Sequence, residues 1–513
     1  MAGPGSSYDE MPYDGGASAG SHPRRLAAIG HVFGMNPAPP ATCRVLELGC
    51  AVGTNLINMA ATLPGAEFVG IDLFESQVIQ ARQRAAEIGL RNIRFEAADI
   101  MEFGPGEKPF DYILACGVFS WVPEAVQERM LELCDELLAR DGIAFITYNT
   151  LPGWYMRLPV RDLMLMASGE GSVDERVRVS AGILDFVVRA ADAASDHSAR
   201  GDRTFADIVK RERVILDDMP ANYVAHEHLE ANNRPIYFKD FVAMATEHGF
   251  QYLAESIIAT MFPTELEPGI RAELDRMTHS QVGMEQLLDF IRGRQFRQTL
   301  LCRSDREVRR DLDALRLDGM YLSVKGKFVA PDDPQYSPER PAFRDGQAIT
   351  RFGDPAMARV VEMVADAAPQ QVRFEDALPP GIPDETRRKI EKSLITMYLA
   401  GFLRLDIEPT ALSRVATQRP RASRAALATR SREEVTNLLH QSVLLSPMAS
   451  LLFELLDGTR DRAALARDFR SGIERAPEAG DLAHLAGDPV ALETAMNEAL
   501  SELAEKALLE ADD

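Results

Sequence analysis

Cysteine is scarce: the chain of 513 residues holds five, Cys43, Cys50, Cys116, Cys134 and Cys302, and no two form a Cys-x-x-Cys pair. A disulfide framework or a structural zinc site needs paired or closely spaced cysteines, so free thiols in a reducing interior are the economical reading, with no metal site. Basic residues are outnumbered, 56 Lys and Arg against 78 Asp and Glu, for a formal charge of -22. That balance excludes a surface that broadly coats nucleic acid or anionic membrane and leaves room only for a local basic patch. Apolar runs of the roughly eighteen residues that mark a membrane span are missing, as is a basic stretch leading into an apolar one at the N-terminus. The expectation is a cytoplasmic protein without membrane insertion. Also missing are Gly-x-Gly-x-x-Gly and a Gly-Lys-Ser/Thr loop ending, which argues against dinucleotides and triphosphates.

What is present begins with Val45-Leu46-Glu47-Leu48-Gly49-Cys50-Ala51-Val52-Gly53-Thr54-Asn55, which reads as a buried strand, a glycine-cornered turn and a helix start. Such a unit brings backbone N–H groups close to a nucleotide-like cofactor. The next strand, Glu67–Asp72, ends in a carboxylate that can accept ribose hydroxyls. After a helix over Ser76–Ile88, the strand Ile93–Ala97 leads to Asp99-Ile100, and a fourth strand runs from Phe110 to Gly117. Three strand-end sites in this order follow the rule that open α/β sheets bind ligands at the carboxyl ends of their strands. The pattern resembles motif I and its successors in class I S-adenosylmethionine (SAM) methyltransferases, departing from it at Ala51, where a glycine is usual. The resemblance implies SAM as cofactor, held by Glu47, Gly49, Cys50, Ala51, Gly53 and Asn55, by Asp72 and Leu73, by Asp99 and Ile100, and by Cys116 and Gly117.

After the fourth strand, the Asn-Pro-Pro-aromatic clamp of nucleobase and glutamine-amide methyltransferases is missing, which counts against planar acceptors. Aromatics stand there instead: Phe119 and Trp121, then Tyr148, Trp154 and Tyr155 after the fifth strand, Ile143–Asn149. Aromatic faces stabilise a cationic amine by roughly 0.5–2 kcal/mol each. An N-terminal segment carrying Tyr8, Tyr13 and His22, with Ser21 capping a helix that has Pro23 in its first turn and runs to Phe33, could fold over the cofactor as a lid.

Taken together, Tyr8-Asp9-x-x-Pro12-Tyr13, His22-Pro23, Gly117-Val118-x-Ser120-Trp121-Val122-Pro123 and Tyr148-Asn149-Thr150-x-Pro152-Gly153-Trp154 resemble bacterial SAM methyltransferases that carry a methyltransferase regulatory domain. The resemblance continues through Ala225-His226-Glu227-His228-Leu229, Pro235–Phe241, Phe296–Cys302 and Val435-Thr436-Asn437-Leu438-x-His440. Rickettsial protein-lysine methyltransferases that act on an outer-membrane protein share it. It implies an α/β fold, a Rossmann-like class I methyltransferase domain followed by a mainly helical middle domain and a winged-helix-like C-terminal module. It also implies a protein substrate with an accessible lysine.

The expected divisions are a lid segment over 1–40, a SAM-binding domain over 41–160 and a separate helical unit over 161–330. A proline-rich linker follows over 331–344, then a helical segment over 345–408 and the C-terminal module over 409–513. His226 and His228 are spaced i, i+2 and have no third ligand near in sequence, so His226, Glu227 and Tyr237 read as the border of a substrate cleft rather than a metal site. Tyr148, Asn149 and His226 are the groups expected to orient the amine, and Phe119, Trp121, Trp154 and Tyr237, with Tyr8, Tyr13 and His22, to face the substrate. The acidic charge gives no broad face for DNA phosphates and is compatible with a homodimer. A small-molecule N- or O-methyltransferase and a SAM-binding scaffold without catalysis are the alternative readings.

Overall fold

The computed structural model describes residues 16–195, 204–217, 219–310, 317–324, 326–337, 339–346, 348–430, 434–475 and 487–511. Helix α1 (Pro23–Val32) leads in, with Pro23 at its first turn. Its cap is His22, whose Nδ1 accepts from the Arg24 N–H at 3.2 Å, while Ser21, the expected cap, lies one residue too early and donates to the Ser18 carbonyl instead.

The first five strands alternate with helices except between β3 and β4, which a loop joins: β1 (Arg44–Leu48), α2 (Thr54–Thr62), β2 (Glu67–Asp72), α3 (Glu75–Glu87), β3 (Ile93–Ala97), β4 (Phe110–Ala115), α4 (Glu124–Leu137) and β5 (Leu138–Leu151). β1 and β2 are apolar runs rather than alternations because helices cover both faces of a parallel sheet. Four helices follow, α5 (Leu158–Ser168), α6 (Val173–Ser195), α7 (Thr204–Asp217) and α8 (Ala221–His228), which bury Val160, Met164, Leu184 and Val209 in a core of their own.

The chain then returns to the sheet. The short β6 (Ile236–Tyr237) pairs with the end of β5, α9 (Phe238–Glu247) leads to β7 (Phe250–Glu255), and α10 (Pro268–Met277) and α11 (Gln281–Arg292) lead to β8 (Phe296–Arg303). The sheet order is β3-β2-β1-β4-β5-β8-β7, with β8 antiparallel to both neighbours. The expected boundary near residue 160 is therefore not the end of the sheet. β7 and β8 lie far apart in sequence and are bracketed by helices, so their pairing leaves no local hairpin signal.

The segment expected as a linker carries a strand at its end, Ala342–Asp345, in a three-stranded sheet with Lys327–Phe328 and Ala348–Arg351. The region after it is mixed rather than helical: its helices Pro355–Ala367 and Asp384–Leu399 pack with strands Tyr321–Val324, Val372–Arg373 and Leu403–Asp406, and share one core with the main sheet. The C-terminal module has a separate core under helices Pro447–Phe453, Arg462–Arg475 and Pro489–Glu505, with a hairpin, Glu434–Thr436 and Ser442–Leu444. Ser446 caps the first of these helices, as its position suggests. The second is capped by the Asp461 carboxylate, which accepts from the Ala464 N–H at 2.8 Å. Among the described residues no helix is long and apolar enough to cross a membrane.

Candidate active site

A cavity of about 540 Å³ opens at the carboxyl ends of β1, β2, β3 and β4 and runs on to Arg157, just before α5, and to α8. That volume suits a ligand of cofactor size. Its floor is the turn after β1, where Gly49 and Gly53 take φ of +70° and +77° and Ala51 is left-handed at +47°. A Cβ on Gly49 would sit 2.4 Å from Val118 Cγ2, so only glycine lets the strand β4 end approach so closely. Asp72 holds this turn in place: its Oδ2 accepts from the Ala51 N–H at 2.8 Å and its Oδ1 from the Phe74 N–H at 3.0 Å. Burial raises its pKa despite these donors. Asp99 braces the next turn, accepting from the Met101 N–H at 2.9 Å, and the Gly117 N–H is held by Thr147 Oγ1 at 2.7 Å.

Gly49, Ala51, Asp72, Leu73, Asp99, Ile100, Cys116 and Gly117 thus line the cavity together, from four separate strand ends. Glu47, Cys50, Gly53 and Asn55 do not. Gly53 instead starts α2 where a Cβ would meet the Phe95 ring at 2.7 Å, and Cys50 is buried beneath the turn. Glu47 lies behind the turn with one carboxylate oxygen accepting from Asn55 Nδ2 at 2.7 Å, and burial pushes its pKa up to about 7. Asn55 Oδ1 faces away from the cavity toward His440 Nε2, 2.8 Å off, at the tip of the C-terminal hairpin. The residues present fit SAM: the turn is built of small residues, and each strand-end carboxylate oxygen keeps acceptor capacity beyond its backbone donors.

The far end of the cavity is aromatic and charged. Trp121 and Trp154 meet edge to face at 6.3 Å, and Asn149, His226 and Glu227 line the same wall. The Arg157 guanidinium lies 5.0 Å over the Trp154 ring and pairs with Glu212, its Nε at 2.9 Å. Burial opposes the charge on Glu212, but the hydrogen bonds of His228 and Arg157 prevail and hold its pKa down to about 2. His228 Nε2 is 2.9 Å from that carboxylate, and burial lowers its own pKa against the opposing pull of Glu212. Because the His226–His228 stretch is helical, the two rings splay: His226 lines the cavity and His228 turns to Glu212.

Four expected substrate or catalytic residues stand elsewhere. Tyr148 is 1% exposed, stacked on Phe241 at 4.2 Å, with its hydroxyl 3.1 Å from Thr299 Oγ1 on the opposite face of β5. Phe119 is buried against the same Phe241 ring. His22 is buried beside the His440 ring rather than over the cofactor turn. Tyr237 stacks on Phe290 and meets Tyr155 on the outer surface. Tyr8 and Tyr13 lie outside the described residues. Arg157 and Tyr223 also line the cavity and lie outside the motifs that mark the site in the sequence. For Arg157 the available signal was its place one helical turn beyond Trp154.

A sheet of this order with a glycine-cornered turn at its switch point and carboxylates at the adjoining strand ends defines an S-adenosylmethionine-dependent methyltransferase. Residues 45–142 match the model of a methyltransferase domain, residues 220–303 that of a predicted methyltransferase regulatory domain, and residues 418–513 that of the C-terminal winged helix domain of PKMT. Among relatives, the uncharacterized protein RP028 of Rickettsia prowazekii is 34% identical over 248 residues, 48% of this chain and 96% of its own. RP789 of the same organism is 28% identical over 485 residues, 91% of this chain and 86% of that one. The chain belongs to the family of RP028 and carries the methyltransferase, regulatory and winged-helix domains that those models describe. PKMT2 from Rickettsia typhi, solved in complex with AdoHcy, shares the fold at TM-score 0.81 and 24% identity, over 97% of this chain and all of that one.

Proposed function

We propose that this protein transfers methyl groups from SAM to lysine ε-amino groups of a protein. The observation that carries the reading is a single cavity joining the strand-end turn, Asp72 and Asp99 to the Trp121/Trp154 pair. When bound, SAM supplies an electrophilic methyl group on a cationic sulfur. In this reading Gly49, Ala51, Asp72, Leu73, Asp99, Ile100, Cys116 and Gly117 hold the cofactor. Asp72 accepts the ribose hydroxyls with the lone pairs its backbone donors leave open. Trp121 and Trp154 close on the aliphatic and cationic parts of the lysine and exclude water, while Asn149 and His226 are placed to orient its nitrogen. A lysine enters as ammonium, near pKa 10.4, and desolvation in this aromatic end favours the neutral amine that reacts. The protein thus works by positioning more than by acid–base chemistry. Two further facts support a protein acceptor. The helices α5–α8 add a unit with its own core beside the cavity, more structure than a metabolite needs, and the structurally similar R. typhi protein is called a PKMT.

The test is transfer of label from methyl-tritiated SAM into a lysate of the source organism, with Asp72→Ala as control. Label in a discrete protein band that hydrolyses to methyl-lysine is the expected result. Label confined to small molecules would overturn it in favour of a metabolite acceptor.

A further inference from the structure

The two carboxylates nearest Arg157 are not equally satisfied. Glu212 accepts from Arg157 Nε at 2.9 Å and Nη2 at 2.5 Å, and from His228 at 2.9 Å, and it does not line the cavity. Glu227, on α8, lines the cavity and meets Arg157 only through Nη1 at 3.4 Å. The other guanidinium within reach, Arg161, spends its donors on the carbonyl oxygens of His228 and Glu230. A carboxylate has acceptor sites for about four hydrogen bonds, so Glu227 is under-bonded where a ligand can reach it. Burial, ahead of the pull of Arg157, raises its pKa, as expected of a carboxylate whose surroundings do not fully compensate its charge. Trp121 and Trp154 line the same cavity, and Arg157 touches both the Trp154 ring and Glu227.

Resting on the lysine reading above, we infer that Glu227 is the residue that recognises the ammonium of the incoming lysine, with Arg157 as its positioning residue. Trp121, backed by the buried Trp154, takes the side-chain methylenes and the carboxylate takes the charge. Arg157 keeps the carboxylate aimed by holding it from behind. Because Arg157 shares the negative charge, the ammonium is held less tightly than by a lone carboxylate, which eases its loss of a proton to solvent before reaction.

The inference is tested by binding, to protein saturated with S-adenosylhomocysteine, of two probes: Nα-acetyl-lysine methylamide and its neutral isostere Nα-acetyl-norleucine methylamide. The wild type is expected to prefer the lysine probe, and Glu227→Gln to lose that preference by about tenfold, the size of one charge-assisted hydrogen bond. Glu227→Asp, which keeps the charge on a shorter arm, restores part of it. A merely structural role would weaken both probes alike, so the ratio within each variant reports recognition. Equal lysine preference in wild type and Glu227→Gln overturns the role of Glu227 and leaves the lysine reading standing. No preference in the wild type overturns the lysine reading and the inference with it. Should Glu227→Gln fail to fold, Glu227→Asp decides alone: an unchanged ratio overturns the inference, a reduced one supports it.

Discussion

Asp72 does two jobs through the same two oxygens, bracing the Ala51 and Phe74 amides and, in the proposed reading, accepting the cofactor ribose. Asp72→Ala is expected to cost roughly 1.5–3 kcal/mol of SAM affinity, about tenfold to a hundredfold, measurable by calorimetry. Unchanged affinity would remove Asp72 from the site. Glu47 offers a prediction with a definite sign. Its folded pKa is raised to about 7 by burial, so folding takes up a proton and this contribution is full below the ordinary glutamate range. It is lost as pH rises from there through about 7, amounting to about 3 kcal/mol for a shift of this size. Glu47→Gln stays neutral, so its stability relative to wild type should climb between pH 5 and pH 8 in thermal unfolding; a difference independent of pH would contradict the assignment. The strand-end residues were legible because each follows an apolar run at a turn. Tyr148 and Asn149 show where that legibility stops. Successive residues of a strand face opposite sides, so Thr147 and Asn149 serve the cavity side while Tyr148 packs on Phe241. Choosing both neighbours for one site was bound to misplace one.

Among the elements, β7 and β8 carry the clearest energetic signature. Arg297 on β8 is wholly buried, at 2.8 Å from Glu255, 2.9 Å from Asp289 and 3.1 Å from Glu285, with its guanidinium 3.6 Å over the Phe238 ring. Removing the cation leaves three carboxylates buried together, so Arg297→Ala should cost about 3–5 kcal/mol in denaturant unfolding. A loss under 1 kcal/mol would mean that these carboxylates are compensated elsewhere. This cluster pins α9, α11, β7 and β8 to the sheet edge. Its residues could be quoted from the sequence as a run, Phe296–Cys302, but not its meaning. The carboxylate partners of Arg297 sit on other elements, up to 42 residues away, and no periodicity links them.

The molecule as a whole is tied together behind the cofactor turn. The hairpin of the C-terminal module ends in His440, buried and left-handed at φ +58°, whose ring reaches Asn55 on α2, while Thr429 accepts from Asn58 Nδ2 at 2.8 Å. Burial lowers the His440 pKa to about 3, so it acts as a neutral wedge. Through Asn55 it touches Glu47 and hence the turn that faces the cavity. Ligand binding at the turn should therefore slow amide exchange in residues 434–444, which do not line the cavity. His440→Ala should abolish that added protection. Exchange in the hairpin that ignores S-adenosylhomocysteine would show that the contact carries no coupling.

The antiparallel strand β8 has a consequence for the order in which the chain is made. β5 is complete at residue 151, but its outer edge finds its partner only when β8 begins at residue 296. At ribosomal speeds of about 5–20 residues per second, a five-stranded sheet waits roughly 7–30 s with one edge open. During that interval α5–α8 emerge and bury apolar residues against one another, so a helical unit forms beside the site before the sheet that carries it is finished.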